Sequence, residues 1–164
     1  AWHDRQRSHA PPTAMRESLN CFYADEAELM AAASDLACQW RDAGRSSLSV
    51  GLAGDLGAGK TTWVRGMLNG LGHQGRVPSP TFTLVEPYQL GDLAVLHIDL
   101  YRLAQAEREL DALGMREAIG APATWVLLEW PERWPGFSRV ADIMVSLTIE
   151  SAGRRVVITE KAEY

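Results

Sequence analysis

Gly54-Asp55-Leu56-Gly57-Ala58-Gly59-Lys60-Thr61 is the stretch that decides the fold, with Leu48, Val50 and Leu52 just before it and Val64, Met67, Leu68 and Leu71 just after. The alternating apolar residues upstream predict a strand over Ser47 to Ala53. Those three and four apart downstream predict a helix that Gly72 ends. Between strand and helix stands GxxxxGK[ST], the pattern of a phosphate-binding P-loop in that context. Glycines at 54, 57 and 59 reach backbone angles closed to other residues and let amides approach phosphate oxygens. The helix start adds unpaired N–H groups and about half a positive charge. Lys60 supplies a compact ammonium for β- and γ-phosphates, and Thr61 a hydroxyl suited to Mg²⁺. The expected nucleotide contacts are thus Gly54, Asp55, Leu56, Gly57, Ala58, Gly59, Lys60, Thr61 and Thr62. Of 16 basic residues only Lys60 and Lys161 are lysines, so a chain that otherwise uses arginine has placed a lysine where the loop requires one.

A P-loop also needs an acid near its metal, usually at the end of an apolar strand. Asp99 ends Leu93-Ala94-Val95-Leu96-His97-Ile98, and Glu129 ends Trp125-Val126-Leu127-Leu128. In a parallel sheet both would lie on the phosphate side, where either could hold Mg²⁺ or orient the attacking water. Val77-Pro78-Ser79-Pro80-Thr81-Phe82 is a proline-stiffened loop. Its Thr81 would be held as a hydroxyl for the γ-phosphate or its metal, or would simply enter the next strand. His97 reads as a packing or hydrogen-bonding residue. Trp130 and Trp134 flank prolines and could touch ligand or partner, with packing the default.

The remaining chain supplies one mixed-sheet α/β domain over 15–164. Residues 1–14 carry no apolar period and read as a disordered extension or a cloning remnant, with Met15 a candidate native start and folding expected from Leu19. Leu29, Ala33, Leu36 and Trp40 form a helical stripe over Glu26 to Asp42, opened by Asp25 and stopped by Gly44. Strands are expected at Thr81 to Tyr88 and Leu93 to Leu100 as a hairpin around Gly91-Asp92, then a short helix over Glu107 to Leu113. Ala123 to Leu128, nearly all apolar, suits a central strand covered on both faces. Alternation from Ile143 to Ile149, resumed at Val156 and Ile158, predicts a C-terminal antiparallel hairpin.

Composition excludes several classes. A length of 164 residues needs no disulfide or metal staple, and no apolar run approaches the roughly 20 residues of a membrane helix. A net charge of −5 speaks against bulk nucleic-acid binding, which depends on Lys and Arg meeting phosphates. Cys21 and Cys38 form no CxxC pair, which fits a reducing cytoplasm.

Taken in order, GDLGAGKTT, SPTFTLVEPY, HIDLYRL and LLEWPE resemble the TsaE (formerly YjeE) family, over about Leu19 to Thr159. The resemblance implies a P-loop NTPase-type three-layer fold with a mixed, mainly parallel central sheet. It implies a bacterial ATPase, binding ATP/ADP with Mg²⁺, that is required for threonylcarbamoyladenosine formation in tRNA. TsaB and TsaD would be its partners, acting on the adenosine next to the anticodon. Carried over by motif, Lys60 and Thr61 become the phosphate and Mg²⁺ contacts, Ser79 and Thr81 lie in a switch-like loop, Asp99 is the essential acid, and Glu129-Trp130 is the second metal and phosphate element. Two other readings are a small-molecule kinase, which would need a basic lid, and a nucleotide-sensing module without turnover. A Ras-type GTPase is disfavoured, because neither Asn20 nor Asn69 is followed by the lysine of NKxD.

Overall fold

The computed structural model describes residues 14–78 and 84–162. Among the described residues, seven strands and five helices follow in order as β1 (Met15–Tyr23), α1 (Glu26–Asp42), β2 (Ser47–Ala53), α2 (Lys60–Gly70), β3 (Val85–Leu90), β4 (Leu93–Asp99), α3 (Ala106–Ala112), α4 (Met115–Ala118), β5 (Thr124–Glu129), α5 (Phe137–Val140), β6 (Ile143–Glu150) and β7 (Gly153–Lys161). A 3₁₀ turn, Pro131–Arg133, precedes α5.

The sheet order is β1-β7-β6-β2-β5-β4-β3. Strands β6, β2, β5 and β4 are mutually parallel, with antiparallel β3 on one side and β7 then β1 on the other. The expected mixed, mainly parallel sheet and the C-terminal hairpin are therefore present. Each face carries its own core, giving three layers. Residue parity on β5 shows the division: Trp125 and Leu127 join Leu29, Ala33, Trp63 and Met67 of α1 and α2. Val126 and Leu128 join Leu110, Trp134 and Phe137 on the opposite face. This two-sided burial is what an unbroken apolar strand requires.

Helix α1 has the predicted limits, with Asp25 accepting from the Glu28 N–H at 2.9 Å. Ala37 is buried and Leu36 only partly so, a small rotation of the expected stripe. Three elements have no counterpart in the sequence reading: the short helices α4 and α5, and strand β1. Strand β1 begins at Met15, not Leu19, and pairs along its length with β7. It is exposed nearly throughout, with only Leu19 and Tyr23 packed against the core, so pairing with β7 does most to define it. The 1–14 extension lies outside the described residues except for Ala14, as do Ser79 and Thr81. No helix among the described residues is long and apolar enough to cross a membrane.

Helices α1 and α2 approach through glycine. A β-carbon at Gly66 would stand 2.6 Å from the Met30 carbonyl oxygen and 2.8 Å from Ala33 Cβ. Backbone cannot yield cheaply there. Gly66→Ala should therefore destabilise the fold by about 1–3 kcal/mol from overpacking. That outweighs the roughly 1 kcal/mol that alanine gains over glycine in a helix. Urea unfolding should show a lower midpoint at constant slope.

Candidate functional site

Strand β2 hands the chain to the loop, which turns at once: the Ala58 N–H donates to Asp55 O at 3.0 Å. Gly57, third in that turn, has φ 81°, a position that disfavours any residue with a β-carbon. Gly54 lies against β6, where an added β-carbon would stand 2.6 Å from Leu147 O. Gly59 is the N-cap of α2 and has no side chain to cap it. The Trp63 N–H bonds Gly59 O at 2.9 Å, so the N–H groups of Lys60, Thr61 and Thr62 have no partner within the helix. Three donors and the positive end of a helix face the loop's concave side, which suits an anion.

The Lys60 side chain is buried inside this turn. Its ammonium donates to Gly54 O at 2.5 Å and Asp55 O at 2.9 Å, and lies 4.0 Å from the centroid of the Trp130 ring. Burial pulls its pKa below the ordinary lysine value, although Glu129, Glu132, Asp99 and Asp55 push the other way. Its direct contacts are neutral carbonyls and a ring face. A phosphate oxygen would offer it a full counter-charge.

Asp99 and Glu129 stand side by side, paired in the parallel register of β4 and β5. Glu129 is buried and accepts from the Thr61 hydroxyl, with its two oxygens at 3.0 and 3.1 Å. His97 Nε2 lies 2.5 Å from Glu129 Oε2, and the whole imidazole is buried, with Nδ1 lacking a partner. Asp99 Oδ1 accepts the Tyr101 N–H at 2.9 Å. A hydroxyl and carboxylates are hard oxygen donors. Mg²⁺ takes one or two such protein groups and completes its shell with phosphates and water, so these residues fit it.

Trp130 follows Glu129 in a left-handed conformation, φ 63° and ψ 54°. For a bulky residue that conformation costs about 1–3 kcal/mol and persists only when the surroundings enforce it. Here the N–H donates to Leu52 O at 3.2 Å, Tyr101 packs on the ring at 5.0 Å between centroids, and Lys60 covers it. Trp134 is buried beside Phe137 in the core of the opposite face and takes no part in the site.

Every described residue assigned from the sequence thus lies on the loop, at the start of α2, or at the tips of β4 and β5. Two participants were not assigned. The link from His97 to Glu129 follows from parity, since His97 and Asp99 share one strand face, but it needed the register of β5 to become visible. Arg154 donates from Nε to Ala58 O and from Nη2 to Gly57 O, both at 3.1 Å. No spacing in the sequence marks it.

The profile of the family described as threonylcarbamoyl adenosine biosynthesis protein TsaE matches residues 23–157. The chain belongs to the TsaE family. The tRNA threonylcarbamoyladenosine biosynthesis protein TsaE of Haemophilus influenzae is 46% identical over 110 residues, covering 67% of this chain and 68% of that protein. The protein of the same name from Synechocystis is 46% identical over 85 residues, 51% of this chain and 54% of its own length. Among solved structures, Bacillus subtilis YdiB superposes with a TM-score of 0.68 at 24% identity, covering 91% of this chain and 88% of YdiB. That likeness supports the fold alone. The TsaE profile takes in the loop, both strand-tip acids and Arg154, so these residues all lie within the matched span.

His97→Ala would leave the buried Glu129 carboxylate with the Thr61 hydroxyl as its one side-chain donor among the described residues. Loss of a buried hydrogen-bond partner should destabilise the fold by about 1–3 kcal/mol. Urea denaturation checks this, and His97→Asn should recover part of the loss.

Proposed function

We propose that this TsaE-family chain is a Mg²⁺-dependent P-loop ATPase that serves threonylcarbamoyladenosine formation in tRNA together with TsaB and TsaD. The observation that carries this reading is one cluster: Lys60, Thr61, Asp99 and Glu129 gathered before the uncapped start of α2. Family membership supplies the tRNA-modification context.

In this reading the amides of Gly59 to Thr62 cradle the phosphates, with Asp55 to Ala58 shaping the loop around them. Lys60 exchanges its two loop carbonyls for phosphate oxygens. Thr61 and Glu129, with Asp99 beside them, would hold Mg²⁺, which when bound draws charge from the β- and γ-phosphate oxygens. Asp99 orients the water that adds to the γ-phosphorus as the bond to the ADP oxygen breaks. His97 keeps the Glu129 carboxylate turned toward Thr61. Trp130 walls the site beside Lys60, and Thr81 keeps its assigned role as a hydroxyl toward the γ-phosphate or its metal.

Transition-state charge needs a further cation. Arg102 and Arg133 are exposed, and Arg133 lies 5.7 Å from the Tyr101 ring. A partner protein could bring another. The isolated chain should therefore bind ATP yet turn over slowly, and TsaB with TsaD should raise the rate in a phosphate-release assay. Fast turnover that is unchanged by the partners would overturn the partner-dependent reading.

Lys60→Ala should lose charge-assisted contacts of about 1.5–3 kcal/mol each, raising the dissociation constant at least roughly tenfold by titration calorimetry. Unaltered affinity would remove the role given to Lys60. Asp99→Ala and Glu129→Ala should retain ATP binding but fail to support tRNA modification in a reconstituted assay. Full modification with either would favour a nucleotide sensor over an ATPase.

A further inference from the structure

Arg154 is the second residue of β7, just past the turn at Ser151 and Ala152, and is half-buried. Its guanidinium donates to three backbone carbonyls: Nε to Ala58 O at 3.1 Å, Nη2 to Gly57 O at 3.1 Å, and Nη1 to Gly153 O at 2.9 Å. No carboxylate among the described residues pairs with it. The Nε–Nη2 edge of the guanidinium is a rigid fork, and here it closes on two consecutive carbonyls of the phosphate loop.

We propose that Arg154 is a positioning residue for the phosphate loop, acting through the peptide groups Gly57–Ala58 and Ala58–Gly59. This rests on the reading that the loop holds a nucleotide. Each of those peptides carries, opposite its carbonyl, an N–H that matters. The Ala58 N–H closes the loop's turn onto Asp55 O, and the Gly59 N–H belongs to the N-cap of α2. A cation on the carbonyl oxygen polarises the whole peptide and makes its N–H a stronger donor. It also fixes which way the peptide plane faces, with oxygen outward to the arginine and N–H away from it.

The base of the arginine is itself held firmly. A β-carbon at Gly153 would stand 2.4 Å from Tyr23 O, and one at Gly54 2.6 Å from Leu147 O of β6. The antiparallel part of the sheet therefore holds the loop from behind, with Arg154 as the polar link. A lysine could offer one carbonyl a proton but could not fork across two.

The test compares the full-length wild type, Arg154→Met and Arg154→Lys. Three quantities are read: ADP affinity by calorimetry, the amide proton shifts of Ala58 and Gly59 without nucleotide, and the melting temperature. Arg154→Met should weaken ADP binding on the order of 10-fold, as loss of an outer-shell partner does. It should also move both amide protons upfield, and Arg154→Lys should fall between. Wild-type affinity, or unmoved Ala58 and Gly59 shifts, in Arg154→Met overturns the proposal. If that variant does not fold, wild-type values in Arg154→Lys overturn it instead. A wild type that binds no nucleotide would sink the proposed function, while the nucleotide-free shifts would still decide the arginine's role.

Discussion

The parallel, in-register pairing of β2, β5 and β4 is the constraint on which the site depends. It places Leu52 opposite Glu129 and Glu129 opposite Asp99, so that three chain segments far apart in sequence end on one line. Carboxyl ends of parallel strands leave their last residues facing the crevice where the next helix starts. Helix α2 starts there because the glycine loop turns the chain back sharply. Sliding β4 or β5 by one residue would send its acid to the opposite face.

The site sets two opposite charges inside an apolar layer, and each is satisfied by close polar neighbours. Lys60 has loop carbonyls and the Trp130 face, and Glu129 has Thr61 and His97. Burial disfavours the charged lysine, and the nearby carboxylates Glu129, Glu132, Asp99 and Asp55 act in the other direction. The strained backbone at Trp130 belongs to the same design. A left-handed tryptophan is tolerated because Leu52, Tyr101 and Lys60 fix it from three sides.

The antiparallel flank has a mechanical part in this arrangement. Strands β6 and β7 abut the loop through Leu147 and Arg154, so the glycine loop has a wall behind it as well as a helix beneath it. Strand β1 extends that flank and is almost wholly exposed. Its contribution to the site is indirect, through the packing of Phe22 and Tyr23 on Gly153.

The chain's own pattern was enough to read α1, β2, β5 and the C-terminal hairpin, because each carries a strong period or a local punctuation mark: Asp25 at a cap, Gly72 past a helix, Ala152-Gly153 at a turn. It also named the loop residues and both acids, since spacing along one segment encodes their chemistry. Strand β1 went unrecognised because only Leu19 and Tyr23 of its side chains reach the core, while its pairing partner β7 lies at the far end of the chain. The contacts of His97 with Glu129 and of Arg154 with Gly57 and Ala58 join residues 32 and about 97 positions apart. Such pairs are set by strand register and sheet order, and a linear pattern holds no record of either until the sheet is assembled.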